Sequence, residues 1–454
     1  MHQVTEPTHV VAIFGGASAG SVAAELLAEH GVQVVVFEQN PRPYGKIEDG
    51  LPRWHDKQRR MEYDKINARL ARPGVHFVPQ TKLGRDVDFQ EVLGWGFSAV
   101  LLANGAWQDR EITSASGVPE ALDHGLVYQN AFVYWFNHKE ESGYDGPTYE
   151  VLPGSLCVGG GLASIDVIKI FQLELYQRAL AGRGIQVDAL ELEHEGIPQV
   201  CAAHGIQPEE LGVENCTLLY RRRIEDMPLA TLPPTASEKQ KAKLPVIRQK
   251  ILEKAQRKFL FEVMPQVVAD AFLFDDGGHV RALRVLRTEL KDGRAATVEG
   301  SGFEIPTRFV VSSIGSIPEP IPGIEMNGAY YRYKDWDTGE YAAAPGVFGL
   351  GNVVTGKGNI KDSLDHGRFV AAHVAEQYLG VGSGELDLST VSEKIAERGE
   401  EAAARVAEYV AHQPKLSPED ANRILARAAE RQAAVGYEGD YTAWIERVTP
   451  ADLG

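Results

Sequence analysis

Residues 9–39 read HVVAIFGGASAGSVAAELLAEHGVQVVVFEQ, and this stretch decides the fold. Val10 to Phe14 is a short continuous apolar run, the pattern of a parallel strand covered on both faces. A glycine turn follows at once. From Ser18 to His30, Val22, Ala23, Leu26 and Leu27 share one helical face, and Gly31 stands where a helix stops. Gln33 to Phe37 reads as the second strand, and Glu38 ends it. The spacing predicts a βαβ unit of the dinucleotide-binding kind, with an acid placed for ribose hydroxyls. The turn itself (Gly15, Gly16, Ala17, Ser18, Ala19, Gly20) departs from G-x-G-x-x-G at its middle place. There Ala17 adds a methyl group where a pyrophosphate would pass.

A second signature lies in GSLCVGGGLASIDVIKIFQLEL (154–175). Ser155 to Val158 reads as the strand, Gly159 to Gly161 as the turn, and Ile165, Ile168 and Phe171 as a helix face. The matching next strand is delayed to CTLLYRRR (216–223), beyond an extended helix and a polar insertion over 176–215. A glycine turn between strand and helix also serves packing alone, so one signature is weak. Two in one chain, each in the right context, point to two nucleotide sites. Glu38 would accept from a ribose diol and repel a 2′-phosphate, which suits FAD or NAD. Arg221, Arg222 and Arg223 would pair with a 2′-phosphate, which suits NADP, or else form a solvated turn.

Further along, 259–290 and 304–315 alternate like antiparallel strands, with a turn at Asp276-Gly277-Gly278. Residues 345–379 read as a strand, a glycine-rich loop and a helix from Asp362 to Tyr378. Beyond about residue 385 the chain is helical and charged, with a helix start at Ser417-Pro418-Glu419-Asp420.

A chain of 454 residues exceeds one ordinary core. Its net charge of -17 argues against nucleic acid or an anionic membrane as main partner. Cys157, Cys201 and Cys216 are scattered without a C-x-x-C, so no redox dithiol, cysteine cluster or metal site is expected. Redox chemistry would have to come from a bound cofactor. Met1 is not followed by a basic and then apolar leader, and no apolar run has the length of a membrane helix. The expected address is cytoplasmic.

The chain resembles the flavoprotein family of adrenodoxin reductase, the bacterial ferredoxin-NADP reductases and the small subunit of glutamate synthase. Similarity to the adrenodoxin reductase branch lies in PYGKIEDGLPRWHDKQRR (43–60), VHFVPQTKLGRDV (75–87), FSAVLLANGAWQDR (97–110) and VYQNAFVYWFNH (127–138). LLYRRRIEDMP (218–228), VRALRVLRTEL (280–290) and GVFGLGNVVTGKGNIKDSLDHGR (346–368) resemble the glutamate synthase subunit. The resemblance covers about residues 8–380.

It implies an α/β fold of two Rossmann-like, three-layer domains: an FAD domain in two parts (1–115 and 319–380), an NADP domain (116–318) and a C-terminal helical extension (381–454). FAD would lie on Gly15 to Gly20, Glu38, Gln39, Gly45, Lys46, Asn104, Gly105, Gly351, Asn352, Gly358, Asn359 and Ile360. NADP would lie on Gly159, Gly160, Gly161, Leu162, Ala163 and Arg221 to Arg223, its nicotinamide over the flavin ring. His55 matches a histidine of the adrenodoxin reductase branch, as a flavin contact or proton relay, and is the one catalytic candidate. An ordinary partly buried histidine is the other reading.

The implied activity is NADPH-dependent flavoprotein oxidoreduction, with electrons passed to a ferredoxin-like acceptor. The alternatives are a reductase subunit docking through its C-terminal extension, and a non-catalytic flavin-binding scaffold. Arg53, Lys57, Arg59 and Arg60 form a basic island that would suit an acidic partner, or a solvated helix face.

Four replacements depart from the family: Ala17, Asn104 for threonine in an A-T-G strand end, Ser164 at the last small place of the second turn, and Asn352 for aspartate. Asn352 keeps an acceptor but loses charge, worth about 1 kcal/mol in a hydrogen bond to the ribityl chain.

Overall fold

The computed structural model describes residues 3–230, 237–336, 338–354 and 389–450. Two sheets organise it. The first has seven strands, in the order Tyr333–Asp335, Glu340–Tyr341, Val347–Gly349, Ala99–Leu102, Val10–Phe14, Gln33–Phe37, Val75–Val78. From Val347–Gly349 onward every pairing is parallel. Every residue of Val10–Phe14 is buried, which is why the sequence runs apolar without alternation.

The second sheet is parallel throughout, in the order Leu126–Tyr128, Val310–Ser313, Leu156–Gly159, Thr217–Tyr220, Glu262–Pro265. An antiparallel set, with Val267–Phe274 and Phe303–Pro306 on either side of Val280–Lys291, branches from its end. The predicted α/β architecture of two Rossmann-like units is therefore the observed one.

The chain passes between the sheets twice, and the two crossings pair with each other. Gln108–Asp109 runs antiparallel to Ser316–Ile317, with Ser316 opposite Asp109. This short ribbon is the backbone connection between the units.

After the first glycine turn, the helix Ser18–Glu29 buries Val22, Ala23, Ala24 and Leu27 on the sheet. The helix after the second turn, Leu162–Ala181, is nearly all buried, because Ala189–Glu195 and Ile197–Ala203 fold over its outer side. The 176–215 stretch, read as an extended helix and polar insertion, is thus a cover for the second unit.

The tail forms the helices Ser389–Ala411, Pro418–Ala434 and Tyr441–Val448. Ser417 caps the second of these by accepting from the Asp420 N–H, as its sequence indicates. Ala403, Val406 and Val410 pack into the core around Ala23, Ala24 and Leu27. Ala421, Ile424, Leu425 and Ala428 join the core on the sheet's other face. Among the described side chains, these apolar residues of the extension are buried against its own chain. Among the described residues no helix is long and apolar enough to cross a membrane.

Candidate functional site

Gly15 sits at φ +104, and a Cβ there would lie 2.4 Å from the Ala103 carbonyl oxygen. A Cβ on Gly20 would lie 1.8 Å from the Gly15 carbonyl oxygen. These two glycines let helix and strand close on each other. The middle place makes no such demand: Ala17 has φ -71 and caps the helix. Its methyl faces Gly45, where a Cβ would come within 3.1 Å of it. Gly45 is thus the counterpart that accommodates the methyl on Ala17.

Glu38 is buried, and its two carboxylate oxygens accept from the Gly16 N–H at 2.8 Å and the Asn40 N–H at 3.0 Å. Burial pushes its pKa up to about 7 against these N–H groups, with Asp49 adding to the rise. Two lone-pair sites remain for a diol.

A polar chain continues from here. Asn40 Nδ2 donates to Asp49 Oδ2 at 3.2 Å, and His138 lies between Asp49 Oδ1 (3.1 Å) and Glu141 Oε1 (2.8 Å). Asn137 Nδ2 donates to the carbonyls of Glu48 and Leu51. Glu38 of the first unit is therefore wired to the helix Gln129–His138, which packs in the second.

Lys46 makes a parallel bridge at the ribbon. Its ammonium donates to Asn130 Oδ1 at 3.0 Å and Ser316 Oγ at 3.1 Å, and lies 5.6 Å from the centre of the Trp107 ring. Burial lowers its pKa to about 8 against the pull of Asp109. Asp109, whose carboxylate accepts from the Asn130 N–H, is itself raised to about 6 by burial, with Lys46 and Asn130 opposing.

Asn104 donates to the Tyr331 hydroxyl at 3.0 Å, while its Oδ1 is buried without a partner in the protein. An acceptor so placed beside the glycine turn suits a ligand donor. Gly351, at φ +66, has its Cβ position 3.0 Å from the Ala19 methyl, so the loop after Val347–Gly349 lies on the first turn of the helix Ser18–Glu29. Asn352 is exposed there. Gly358, Asn359, Ile360 and the expected Asp362–Tyr378 helix lie outside the described residues.

In the second turn a Cβ on Gly159 would strike Ser164 Oγ and the Ser313 carbonyl, and one on Gly160 would enter the Tyr220 ring at 2.1 Å. Ser164 replaces a small residue without loss of packing because its hydroxyl donates to the Ser313 carbonyl at 3.0 Å. Gly161 differs. Its φ is -86 and a Cβ there would meet nothing within 4 Å. It precedes the helix start, where Leu162 is buried and Ala163 exposed.

Of the three arginines, Arg223 grips Asp226 with two hydrogen bonds, Arg222 approaches the same carboxylate at 3.9 Å, and Arg221 is exposed. No local pattern marks Arg248, which donates to the Ala230 and Glu225 carbonyls from a helix 25 residues downstream of Arg223. Burial, helped by Arg222, lowers its pKa. Cationic character therefore concentrates beside the second turn.

His55 is buried against the second unit with Leu162, Asp166 and Lys169, and its Nε2 accepts from the Trp54 indole at 3.0 Å. The basic island around it breaks up. Arg53 pairs with Glu140, Arg60 with Asp56, and Arg59 is buried beside Tyr63, while Lys57 is exposed. Burial and neighbouring carboxylates consume the charge expected to attract a partner.

Two glycine turns, each between a parallel strand and a helix, in two sheets joined by one ribbon make a frame of two Rossmann-like nucleotide-binding units. An NAD(P)-binding Rossmann-like domain model matches residues 13–63. The chain is 25% identical over 406 residues to the putative oxidoreductase AegA of Escherichia coli, covering 84% of this chain and 51% of AegA. It is 26% identical over 389 residues to the glutamate synthase [NADPH] small chain of Mycobacterium tuberculosis, covering 82% of this chain and 67% of that one. The chain thus spans about half to two thirds of these relatives' length.

Among solved structures, Mycobacterium tuberculosis FprA in complex with NADPH shares the fold, with a TM-score of 0.65 at 16% identity, over 94% of this chain and 91% of FprA. That likeness leaves 6% of the chain uncovered, so it extends past residue 380 into the tail.

Proposed function

We propose that this chain takes hydride from NADPH onto FAD and delivers the electrons to a separate acceptor, a ferredoxin-like protein or a partner enzyme subunit. The observation that carries this reading is the pair of closed glycine turns, one beside a buried carboxylate (Glu38) and the other beside arginines. Residues 1–115 and 319–380 are the FAD-binding unit in this reading, 116–318 the NADP-binding unit and 381–454 the helical extension.

The residues present fit both groups. Gly15 to Gly20, Glu38, Gln39, Gly45, Lys46, Asn104, Gly105, Gly351 and Asn352 would hold FAD, with Gly358 to Ile360. Gly159 to Ala163 and Arg221 to Arg223 would hold NADP. FAD, when bound, supplies the conversion of a two-electron hydride into single electrons. The chain's own part is orientation. Lys46 and Asn130 fix the ribbon, Glu38 ties the first turn to the loop after it, and His55 is the candidate for a proton relay.

Anaerobic optical titration tests this. Bleaching of a flavin spectrum by NADPH at lower concentration than by NADH is expected. Protein that stays colourless after FAD is supplied, or flavin that NADPH does not bleach, would sink it.

Gly161→Ala separates ligand from fold. The protein leaves room for the methyl at an ordinary φ, so stability should hold or rise by up to about 1 kcal/mol. A pyrophosphate crossing the turn would be displaced, and the NADPH dissociation constant should rise at least about tenfold, in line with a contact worth over 1.4 kcal/mol. Unchanged NADPH affinity in this variant places the nucleotide elsewhere.

A second reading, a reductase subunit of a larger assembly, draws support from the similarity to a glutamate synthase small chain. Docking through the extension finds less support, since its apolar residues are already buried.

A further inference from the structure

The extension does more than cover a sheet, because it packs on residues that flank three of the segments assigned above to FAD. Trp444, 5% exposed, donates its indole N–H to the Pro41 carbonyl at 2.8 Å. Tyr441 donates to Asn67 Oδ1 at 2.7 Å, and Tyr44 donates to the same oxygen at 3.1 Å. Tyr44 also stacks on Tyr63 at 3.8 Å between ring centres. Pro41 to Tyr44 is thus fixed from the side of the tail, and the next residue is Gly45, which receives the Ala17 methyl.

Four more contacts follow the same plan. Val406 and Val410 pack in one core with Ala23, Ala24 and Leu27 of the helix that follows the first turn. The Tyr409 ring meets Phe348 edge-on at 5.1 Å, in the strand that leads to Gly351. Gln432 Nε2 donates to the carbonyl of Phe77 in the edge strand, and Tyr441 meets the Phe77 ring edge-on at 5.1 Å.

We propose that the C-terminal extension is a cofactor-retention brace, in which Trp444 and Tyr441 hold the Pro41–Tyr44 segment so that Gly45 stays against the first glycine turn. These are positioning residues: neither is required to touch the cofactor. The loop between Glu38 and Lys46 has no regular secondary structure of its own, so its position depends on what packs on it. The inference rests on the assignment of FAD to the first unit.

The test uses the full chain, stripped of flavin and titrated with FAD, in Trp444→Phe and Tyr441→Phe. Tyr441→Phe keeps the ring and removes one donor, while Trp444→Phe removes the indole N–H and leaves a smaller aromatic ring in its place. Each should raise the FAD dissociation constant about fivefold, the effect of one net hydrogen bond, and leave NADPH affinity unchanged. Tryptic cleavage after Lys46 in the flavin-free variants should quicken, a readout that does not involve flavin. Equal FAD affinity in wild type and both variants would overturn the brace while sparing the flavin assignment. A wild-type chain that takes up no FAD would overturn both.

Discussion

Gly20→Ala is expected to prevent the first nucleotide unit from closing. The added methyl would sit 1.8 Å from the Gly15 carbonyl oxygen and 3.3 Å from Ile13 Cγ2. No flexible side chain can yield there. Gly15 is pinned from its other side, where its N–H donates to the Phe37 carbonyl at 2.8 Å and its Cα faces the Ala103 carbonyl. The helix Ser18–Glu29 would have to lift off the sheet, pulling Val22, Ala23 and Leu27 from full burial. A destabilisation of about 3 kcal/mol or more follows, at the upper end of overpacking costs. FAD uptake should be lost with it. The measurement is the urea midpoint compared with wild type, with Gly161→Ala as the control whose midpoint should not fall. A Gly20→Ala midpoint equal to wild type would show that the turn can open and would remove the close-contact account.

Stability should fall as pH rises from about 6.5 to about 9, and His138 should govern that range. Burial acts against its charge, but the hydrogen bonds to Asp49 and Glu141 outweigh it and raise its pKa to about 9. A folded-state pKa above the unfolded value of 6.5 means stability fully present below pH 6.5 and lost as pH rises through 9. The amount is on the order of 3 kcal/mol. Glu38 and Glu48, both raised to about 7 chiefly by burial, act in the same direction at lower pH. Each stabilises the fold below pH 4.5 and loses that contribution as pH passes 7. Lys46 has the opposite sign. Its lowered pKa of about 8 means that a burial cost is relieved as pH climbs from there towards 10.5. Urea midpoints at pH 6, 7.5 and 9 in wild type and His138→Gln read this out. The variant should lose most of the slope between pH 6.5 and 9; a slope that survives the substitution assigns the effect to another group.

Much of the fold was legible because close packing leaves local marks. Val10–Phe14 had to be continuously apolar to be covered on both faces, and Gly15 and Gly20 had to lack side chains to let helix meet strand. Both marks fall within a dozen residues, and the second unit repeats them at Leu156–Gly159 and Gly160. Ser164 and Ala17 looked like defects in isolation. The first proved to be a hydroxyl donating to Ser313 and the second a methyl facing Gly45, partners 149 and 28 residues away in the chain.

Charge was the property least legible from sequence. The stretch from Arg53 to Arg60 read as one basic surface, yet Glu140, Asp56 and burial dispose of three of its cations. Arg248 reaches the second turn from a distant helix, and the wiring from Glu38 through Asn40 and Asp49 to His138 joins residues with no periodic relation.

By itself the sequence determined the two strand–turn–helix units, the carboxylate and arginines beside them, and hence the class of cofactors. Those depend on backbone geometry over a few consecutive residues. Only the tertiary structure decided which charges stay exposed, how Lys46 and His138 tie the two units together, and that the C-terminal helices close over the first one. Each of these is a contact between segments far apart in the chain, set by packing and desolvation and not by local pattern.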